Sequence, residues 1–397
     1  MRQRRFPAAF IRGGTSKAAV FHARDLPGDR TLWPELFVAA LGANDPNGRQ
    51  LNGLGGGVSS LSKVCVVGPP SRPDADIDYT FFQLSPRTAS VDASGNCGNM
   101  SSAMGPFAID EGLVPALGDR AEVRIHNTNT GKIIRARFAL DGGMAAVDGD
   151  FELPGVSGAG APIVLDFLEP GGAKTGVLLP TGNARDLLDV EGLGPIEASM
   201  VDAANPCVFV AAAAMGVTGA EAPDALEADA AFLDRMERVR LAASVAMGLA
   251  PDLAAARAMP SIPKVAVVAA PREQSLLTGE TMPPDAMDIL VRMISVGQPH
   301  RAVPLTGALC LAVATQIPGT IPAEVCRPGR AQVRVAQASG LTVVEAAMED
   351  RAGEDRPGQL HATSASVVRT QRRLMDGFVY APALSTPGFD RLTAAAE

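Results

Sequence analysis

Residues 94–109 read Ser-Gly-Asn-Cys-Gly-Asn-Met-Ser-Ser-Ala-Met-Gly-Pro-Phe-Ala-Ile, a polar, glycine-rich turn that runs into an apolar, helix-permissive segment. A helix that begins near Gly98 would point its first free N–H groups back toward Cys97. These groups and the helix dipole favour negative charge, so the turn predicts a seat for an anion and an environment that favours the thiolate of Cys97. A small, buried cysteine beside a turn is the ordinary alternative.

Composition bounds the class of protein. The chain has 397 residues, of which 47% are hydrophobic and 20% charged, so it can bury a large core and is long enough for two or three domains. Its 35 Lys and Arg against 43 Asp and Glu give a net charge of −8, and no basic run is interleaved with aromatic residues. Nucleic acid is therefore not expected as a partner. The apolar run at 208–215 is far too short to span a membrane, and no membrane association is expected.

The cysteines indicate the compartment. Five of them are scattered along the chain without a C-x-x-C pair. This pattern favours a reducing cytoplasm and argues against a disulfide framework or a structural zinc site. We therefore expect a cytoplasmic protein without a metal.

The second half of the chain repeats the first. Residues 60–70 are similar to 261–271, at an offset of 201 residues, and residues 118–125 are similar to 328–335, at an offset of 210 residues. Between them, residues 305–314 correspond in position to 95–104. Such self-similarity predicts a duplicated α/β architecture in which short strands wrap one helix in each half. We expect an N-terminal domain at 1–184 and a C-terminal domain at 185–397.

A cleft between two such halves would face two helix N-termini, which suits a substrate with several carboxylates. Lys17, Lys63, Lys264 and Arg301 could supply the remaining positive charge. A lysine at the edge of an apolar pocket can carry a proton near neutral pH, and Lys63 lies between a glycine-rich loop and an apolar strand. The sequence shows no metal-ligand cluster, P-loop or nucleotide fingerprint.

Five sequence motifs are spread along the chain: Arg-Gly-Gly-Thr-Ser-Lys at 12–17, Ser-Ser-Leu-Ser-Lys at 59–63, Gly-Asn-Cys-Gly-Asn at 95–99, Pro-Thr-Gly-Asn at 180–183 and Gly-Phe-Val-Tyr-Ala-Pro at 377–382. Together they resemble the 2-methylaconitate isomerase family over nearly the whole chain. That resemblance implies an α/β (α+β) fold of the diaminopimelate epimerase-like type, with two pseudo-symmetric domains, each with a central helix wrapped by a mixed β-sheet barrel. The strand near 377–382 could return to the N-terminal domain.

The resemblance also implies roles for residues. Lys63 is the expected proton-transfer base, Cys97 lies opposite it, and no metal or organic cofactor takes part. In the second half, the slot equivalent to Cys97 is expected to hold Thr306 or Gly307, with Cys310 one helical turn later, so a symmetric pair of thiols is in doubt. The expected substrate contacts are Thr15, Ser16, Lys17, Ser60, Asn96, Gly98, Asn99, Met100, Lys264, His300, Arg301, Thr306 and Gly307.

The leading hypothesis is a cofactor-independent isomerase that moves an allylic proton on a small unsaturated di- or tricarboxylate of the 2-methylaconitate or aconitate type. A 4-oxalomesaconate isomerase or tautomerase of aromatic-acid degradation is an alternative within the same family. An amino-acid epimerase of the same fold and a non-catalytic polycarboxylate-binding protein are further alternatives. The expected partner is a small anionic polycarboxylate, and the sequence is compatible with a homodimer.

Overall fold

Strands are the main regular elements in the first half of the chain. The computed structural model describes residues 3–329, 332–350 and 360–389. Within these ranges, 19 strands belong to one mixed sheet, and two further pairs of short strands form separate ribbons. The strands before residue 185 are β1 (Gln3–Gly13), β2 (Ser16–His22), β3 (Lys63–Gly68), β4 (Ile77–Leu84), β5 (Val91–Asp92), β6 (Arg120–Asn127), β7 (Lys132–Asp141), β8 (Met144–Ala145), β9 (Phe151–Glu152), β10 (Ala159–Gly160) and β11 (Ile163–Leu168).

The second half has a matching series. Residues 330 and 331, inside the second copy of the strand repeat at 328–335, lie outside the described ranges. The strands after residue 185 are β12 (Asp186–Val190), β13 (Gly194–Ala203), β14 (Asn205–Ala211), β15 (Lys264–Ala269), β16 (Gln274–Ser275), β17 (Thr281–Met282), β18 (Ile289–Ser295), β19 (Gln298–Pro299), β20 (Gln332–Gln337), β21 (Gly340–Asp350), β22 (Leu360–Arg369) and β23 (Gln371–Pro382). The α-helices are α1 (Trp33–Leu41), α2 (Gly98–Asp110), α3 (Pro223–Ala228), α4 (Ala230–Ala246), α5 (Leu253–Ala258), α6 (Leu305–Thr315) and α7 (Ile321–Val325).

The strand pairing confirms the duplication. β1, β2, β3, β4, β6, β7 and β11 pair in that order, and β2–β3 and β4–β6 are the parallel pairs. β13, β14, β15, β18, β20, β21 and β22 pair in the same order, with β14–β15 and β18–β20 parallel. β11 and β22 pair with each other and join the two series, while β23 extends β1 and β12 extends β13. The domain boundary near residue 185 stays a prediction.

One helix lies inside each series of strands. Helix α2 packs against β1, β6, β7 and β8, and α6 packs against β13, β14, β21 and β22. Every residue from Gly98 to Ile109 is buried, so α2 has no solvent face and shows no amphipathic pattern. The hydroxyls of Ser101 and Ser102 are tolerated there because they donate to the carbonyls of Cys97 and Asn99.

The remaining long helices cover the outer faces of the sheet. Helix α4 packs on β12 and β15 through Phe232, Met236, Val239 and Ala243. Helix α1 covers the outer face of β1–β3 in the first half. In the described ranges, none of the helices is long and apolar enough to cross a bilayer.

The junction of β11 with β22 generates a prediction of stability. Leu165 of β11 is fully buried in a cluster that includes residues of both halves, and it pairs with Val367 of β22. We expect Leu165→Ala to lower the free energy of unfolding by about 2–5 kcal/mol, because it removes buried methyl groups and leaves a cavity. Denaturant unfolding measures the change. Val164→Ala is the matched control, since Val164 is only half-buried, and equal losses in both variants would contradict the prediction.

Candidate active site

The first turns of α2 and α6 lie against each other. A Cβ atom on Gly98 would fall 2.4 Å from Leu305 Cδ2 and 3.0 Å from Thr306 Cγ2, so a larger residue at this position would require the side chains at the start of α6 to shift. Helix α2 begins at Gly98, as the sequence predicts, with Cys97 as its N-cap. Two positive helix ends therefore meet where the halves of the chain come together.

A cavity of about 320 Å³ lies at this junction. Its volume lies within the usual range for a small-molecule site. Most of the predicted contacts line it, and they come from both halves of the chain. The predicted residues on its wall are Thr15, Ser16, Ser60, Lys63, Asn96, Cys97, Gly98, Asn99, Lys264, His300, Arg301 and Thr306.

Three predicted contacts lie off the cavity wall. The Nζ atom of Lys17 lies 5.6 Å from the centre of the Phe10 ring, because strand alternation turns Lys17 to the face opposite its neighbour Ser16. Met100 is fully buried in the core beneath the β1–β2 turn, because its position on α2 faces inward. Gly307 lies against Met293 on the inner side of α6.

The prediction for the position equivalent to Cys97 in the second half is wrong. Helix α6 begins at Leu305, so the residue that matches the Cys97 cap is Pro304, and neither Thr306 nor Gly307 occupies that place. Cys310 is fully buried and its thiol faces the carbonyl of Val201 at 3.3 Å, within the core. The second half thus places no thiol at the helix start.

Cys97 itself is 8% exposed and lines the cavity. Its carbonyl accepts hydrogen bonds from Tyr79 Oη at 3.3 Å and from the N–H and hydroxyl of Ser101. Its thiol makes no capping hydrogen bond within the described part of the chain. These contacts fix the backbone of Cys97 while the sulfur stays available to a bound molecule.

Lys63 is the first residue of β3 and is 7% exposed. Its Nζ donates a hydrogen bond of 2.6 Å to Gln83 Oε1 and lies 5.0 Å from the centre of the Phe81 ring. Both partners are neutral side chains of β4, the antiparallel neighbour of β3. The amine is therefore held in a fixed place at the cavity by an uncharged acceptor.

Lys264 holds the equivalent place in the second half, at the first residue of β15. Its Nζ donates to the carbonyl of Ser261 at 3.3 Å. Burial lowers the pKa of Lys264, Cys207 partly opposes this effect, and the nearby Lys63 lowers the pKa further. The two lysines therefore bring two amines to one cavity.

His300 follows β19 and lies within the influence of both lysines. Burial lowers its pKa to about 3, and the positive charges of Lys63 and Lys264 contribute to the shift. Its Nε2 is buried and finds no hydrogen-bond partner among the described residues. His300 therefore offers the cavity a neutral imidazole.

Arg301 lies at the mouth of the cavity. It is exposed and pairs with Asp224 at 2.6 Å. Glu227, also exposed, is the single carboxylate among the described lining residues. The interior of the cavity is thus lined by cationic, neutral polar and apolar groups, with negative charge confined to its rim.

The β1–β2 turn orients the side chain of Asn99. Gly14 has a φ of +51°, and a Cβ atom there would fall 2.3 Å from Asn99 Oδ1, so glycine permits both the turn and the approach. Asn99 Nδ2 donates to Thr15 Oγ1 at 3.0 Å, while Asn99 Oδ1 accepts from Arg369 at 3.3 Å. Burial lowers the pKa of Arg369 to about 10.

Gln83 and Arg369 are site residues that the sequence analysis missed. For Gln83 a signal was present, because Ile77, Tyr79 and Phe81 alternate as apolar residues and place Gln83 on the same inward face. For Arg369 the local sequence does not indicate the partner, since Asn99 lies 270 residues away along the chain. In the described ranges, no group of three His, Cys, Asp or Glu side chains is arranged to hold a metal ion.

Comparison with protein families gives a match that spans nearly the whole chain. The family model described as PrpF protein matches residues 3–382. The chain belongs to this family. The family predicted from the sequence motifs is thereby confirmed.

Relatives of this chain bear the names of isomerases. The 3-methylitaconate isomerase of Eubacterium barkeri is 38% identical over 382 residues, which cover 95% of this chain and 97% of that protein. The 2-methyl-aconitate isomerase of Shewanella oneidensis is 35% identical, covering 94% and 96%. The (4E)-oxalomesaconate Delta-isomerase of a Novosphingobium species is 36% identical, covering 94% and 97%. The predicted class of enzyme, an isomerase, is confirmed.

Solved structures support the fold. A crystal structure of methylitaconate-delta-isomerase superposes with a TM-score of 0.77 at 37% identity, covering 97% of this PrpF chain and 98% of that chain. A hydroxyproline epimerase from Agrobacterium vitis superposes with a TM-score of 0.52 at 14% identity, covering 96% and 95%, which shows the fold alone. The diaminopimelate epimerase-like α+β fold with pseudo-symmetric halves is confirmed.

The neutral His300 generates a prediction of pH dependence. Its pKa of about 3 lies below the ordinary value of 6.5, so between these values the unfolded chain binds a proton that the folded chain does not. The stability linked to His300 is full above about pH 6.5 and is lost as the pH falls. We expect the melting temperature of His300→Gln to fall less steeply than that of the wild type between about pH 6.5 and 4.5. Parallel melting curves for the two proteins would contradict a neutral His300.

Proposed function

We propose that this PrpF-family isomerase moves an allylic proton on a small unsaturated di- or tricarboxylate without a cofactor. The observation that supports the proposal is the arrangement of Lys63 and Cys97 on one cavity between two helix N-termini. Relatives named for isomerisation of methylitaconate, methylaconitate and oxalomesaconate point to the same class of substrate.

The first step is binding of the carboxylates. The N–H groups at the starts of α2 and α6 point toward the cavity and suit one carboxylate each. Lys264 adds positive charge from the second half, and the neutral side chains of Thr15 and Asn99 offer hydrogen bonds. The acidic rim residue Glu227 is exposed, so it leaves the interior favourable to anions.

The second step is proton transfer. Lys63 removes a proton from the carbon next to the double bond, and the electron pair of that C–H bond delocalises into the conjugated carboxylate as a dienolate. The N–H groups of Gly98 and Asn99 hold the developing negative charge. Return of a proton to the other end of the allylic system forms a new C–H bond and shifts the double bond, so atoms and electrons balance. Return to the same carbon after rotation gives cis-trans isomerisation instead.

Cys97 is the second candidate for proton exchange. Its sulfur faces the cavity from the helix start, where N–H groups and the helix dipole favour a negative charge. It can therefore exchange a proton at the end of the allylic system at which Lys63 does not act. This assignment of two different groups, an amine and a thiol, differs from an epimerase that uses a thiol from each half.

The residues support the alternative functions to different degrees. An oxalomesaconate isomerase remains within the proposal, because a relative of that name is 36% identical. An amino-acid epimerase with paired thiols is disfavoured by Pro304 at the second helix start. We further propose a cytoplasmic enzyme, which the five scattered cysteines support. A homodimer stays a prediction from the sequence.

Proton NMR in deuterated water tests the reaction class. The enzyme is incubated with 2-methylaconitate, aconitate, methylitaconate and oxalomesaconate in turn. Deuterium that enters a CH, CH2 or CH3 group of one of these substrates, together with the isomeric product, is the expected result. Deuterium at the α-carbon of an amino acid would favour the epimerase, and tight binding without exchange would favour a binding protein.

One prediction concerns the general base, Lys63. Lys63→Met keeps much of the side-chain volume and removes the titratable amine, so turnover should fall by roughly 10²-fold or more while folding is retained. Lys17→Met is the matched control, because Lys17 lies off the cavity wall beside Phe10. Near-normal turnover in Lys63→Met would assign the base elsewhere, with Lys264 the next residue to test.

Another prediction concerns the thiol of Cys97. Cys97→Ser replaces a thiol with a hydroxyl that is many units less acidic, so turnover should fall clearly while substrate affinity is mostly kept. Exchange of substrate hydrogen through Lys63 should remain detectable in deuterated water. Cys326→Ser, at a half-buried cysteine outside the cavity, serves as the control. If Cys97→Ser abolished all exchange while Lys63→Met retained it, Cys97 would be the primary base.

A further inference from the structure

The duplication gives the cavity two lysines with different partners. Lys63 and Lys264 open the equivalent strands β3 and β15. In the antiparallel register of β3 with β4, Lys63 faces Gln83. In the register of β15 with β18, Val265 faces Ile294, which places Ser295 opposite Lys264. The long amide of Gln83 reaches the amine of Lys63, whereas Lys264 donates to the carbonyl of Ser261.

The amide of Gln83 is locked in one orientation. Its Nε2 donates to the carbonyls of Ser59 and Ser62 at 3.0 Å each and to that of Leu84 at 3.1 Å. A flipped amide would set its oxygen against three carbonyl oxygens and its NH2 group against an ammonium. Oε1 must therefore face Lys63, and since Gln83 is 7% exposed, water does not compete effectively for this bond.

We propose that Gln83 is the positioning residue that holds the Lys63 amine at the reacting carbon and selects it over Lys264 as the proton-carrying lysine. The proposal rests on the proposed function. Gln83 is suited to this because it is a neutral acceptor: it fixes Nζ in space and leaves the proton free to transfer. A carboxylate in its place would stabilise the ammonium and oppose loss of the proton.

Other titratable groups face the Lys63 amine. Lys264 and His300 approach from the second half, and Cys97 faces the same cavity from the start of α2. Cys65 lies two residues along β3 and interacts with Lys63. A change of Gln83 to an uncharged residue alters no charge in this set, so a shift in the titration of Lys63 would report the lost hydrogen bond.

Gln83→Met is the main test. It removes the acceptor and keeps the length of the side chain. We expect kcat to fall roughly 10-fold to 100-fold with KM changed less than about threefold, because the amine is displaced from the reacting carbon. The acidic limb of kcat/KM should move to lower pH by about one unit, because the ammonium has lost a hydrogen bond that stabilised it. A role limited to packing would not move this limb.

A second measurement is independent of turnover. Trace acetylation of the free enzyme, followed by mass spectrometry, measures the reactivity of Lys63 as a function of pH. In Gln83→Met the midpoint for Lys63 should shift to lower pH, while the midpoint for the off-wall Lys17 should not. If the wild type isomerised none of the tested acids, the proposed function would fail, yet this measurement would still decide whether Gln83 controls the lysine.

Two further variants complete the design. Gln83→Asn keeps an amide that is one methylene shorter, so its effects should lie between those of the wild type and Gln83→Met, and it carries the test if Gln83→Met does not fold. Gln3→Met is the matched control, because Gln3 is exposed at the end of β1 farthest from the β1–β2 turn. Wild-type kcat with an unshifted kcat/KM profile and an unshifted Lys63 midpoint, in a folded Gln83 variant, would overturn the proposal.

Discussion

The contact between the first turns of α2 and α6 is the constraint on which the structure depends. Each helix is buried mainly among strands of its own half, and each half contributes one helix start to the junction. Gly98 lets these starts approach within the reach of a single small molecule. The approach costs free energy, because two positive helix ends and two lysines share one cavity. An anionic ligand offsets that cost, so the architecture favours an anion in this cavity.

The parts of the fold and site that could be predicted from the sequence have local or repeated signals. The start of α2 follows from a polar glycine turn before an apolar segment, and the duplication follows from the two similar strands at Lys63 and Lys264. Side-chain direction was harder to predict. Lys17 shares a motif with Ser16 but points the other way, because neighbouring strand residues face opposite sides of the sheet. The presence of both residues in one motif does not show that their side chains face opposite sides.

Long-range partners could not be predicted for a different reason. The bond between Lys63 and Gln83 depends on the register of β3 with β4. The bond between Asn99 and Arg369 depends on the register of β22 with its antiparallel neighbour β11. Register is set by how many side chains pack together at once, and a single chain segment does not contain that information. The start of α6 was missed for another reason. The predicted position differs from Pro304 by two to three residues, because the ends of helices are difficult to locate from sequence.

The pairing of β23 with β1 has a consequence for biosynthesis. Gln3 faces Pro382 and Gly13 faces Gln371, so the strand that covers β1 is made more than 350 residues after it. While the ribosome works, one edge of β1 stays open, together with the edge of β11 that later pairs with β22. The nascent first half is therefore a target for chaperones and for mispairing with neighbouring chains. Completion of the sheet, and with it the Arg369 contact to Asn99, must await the release of the last strands.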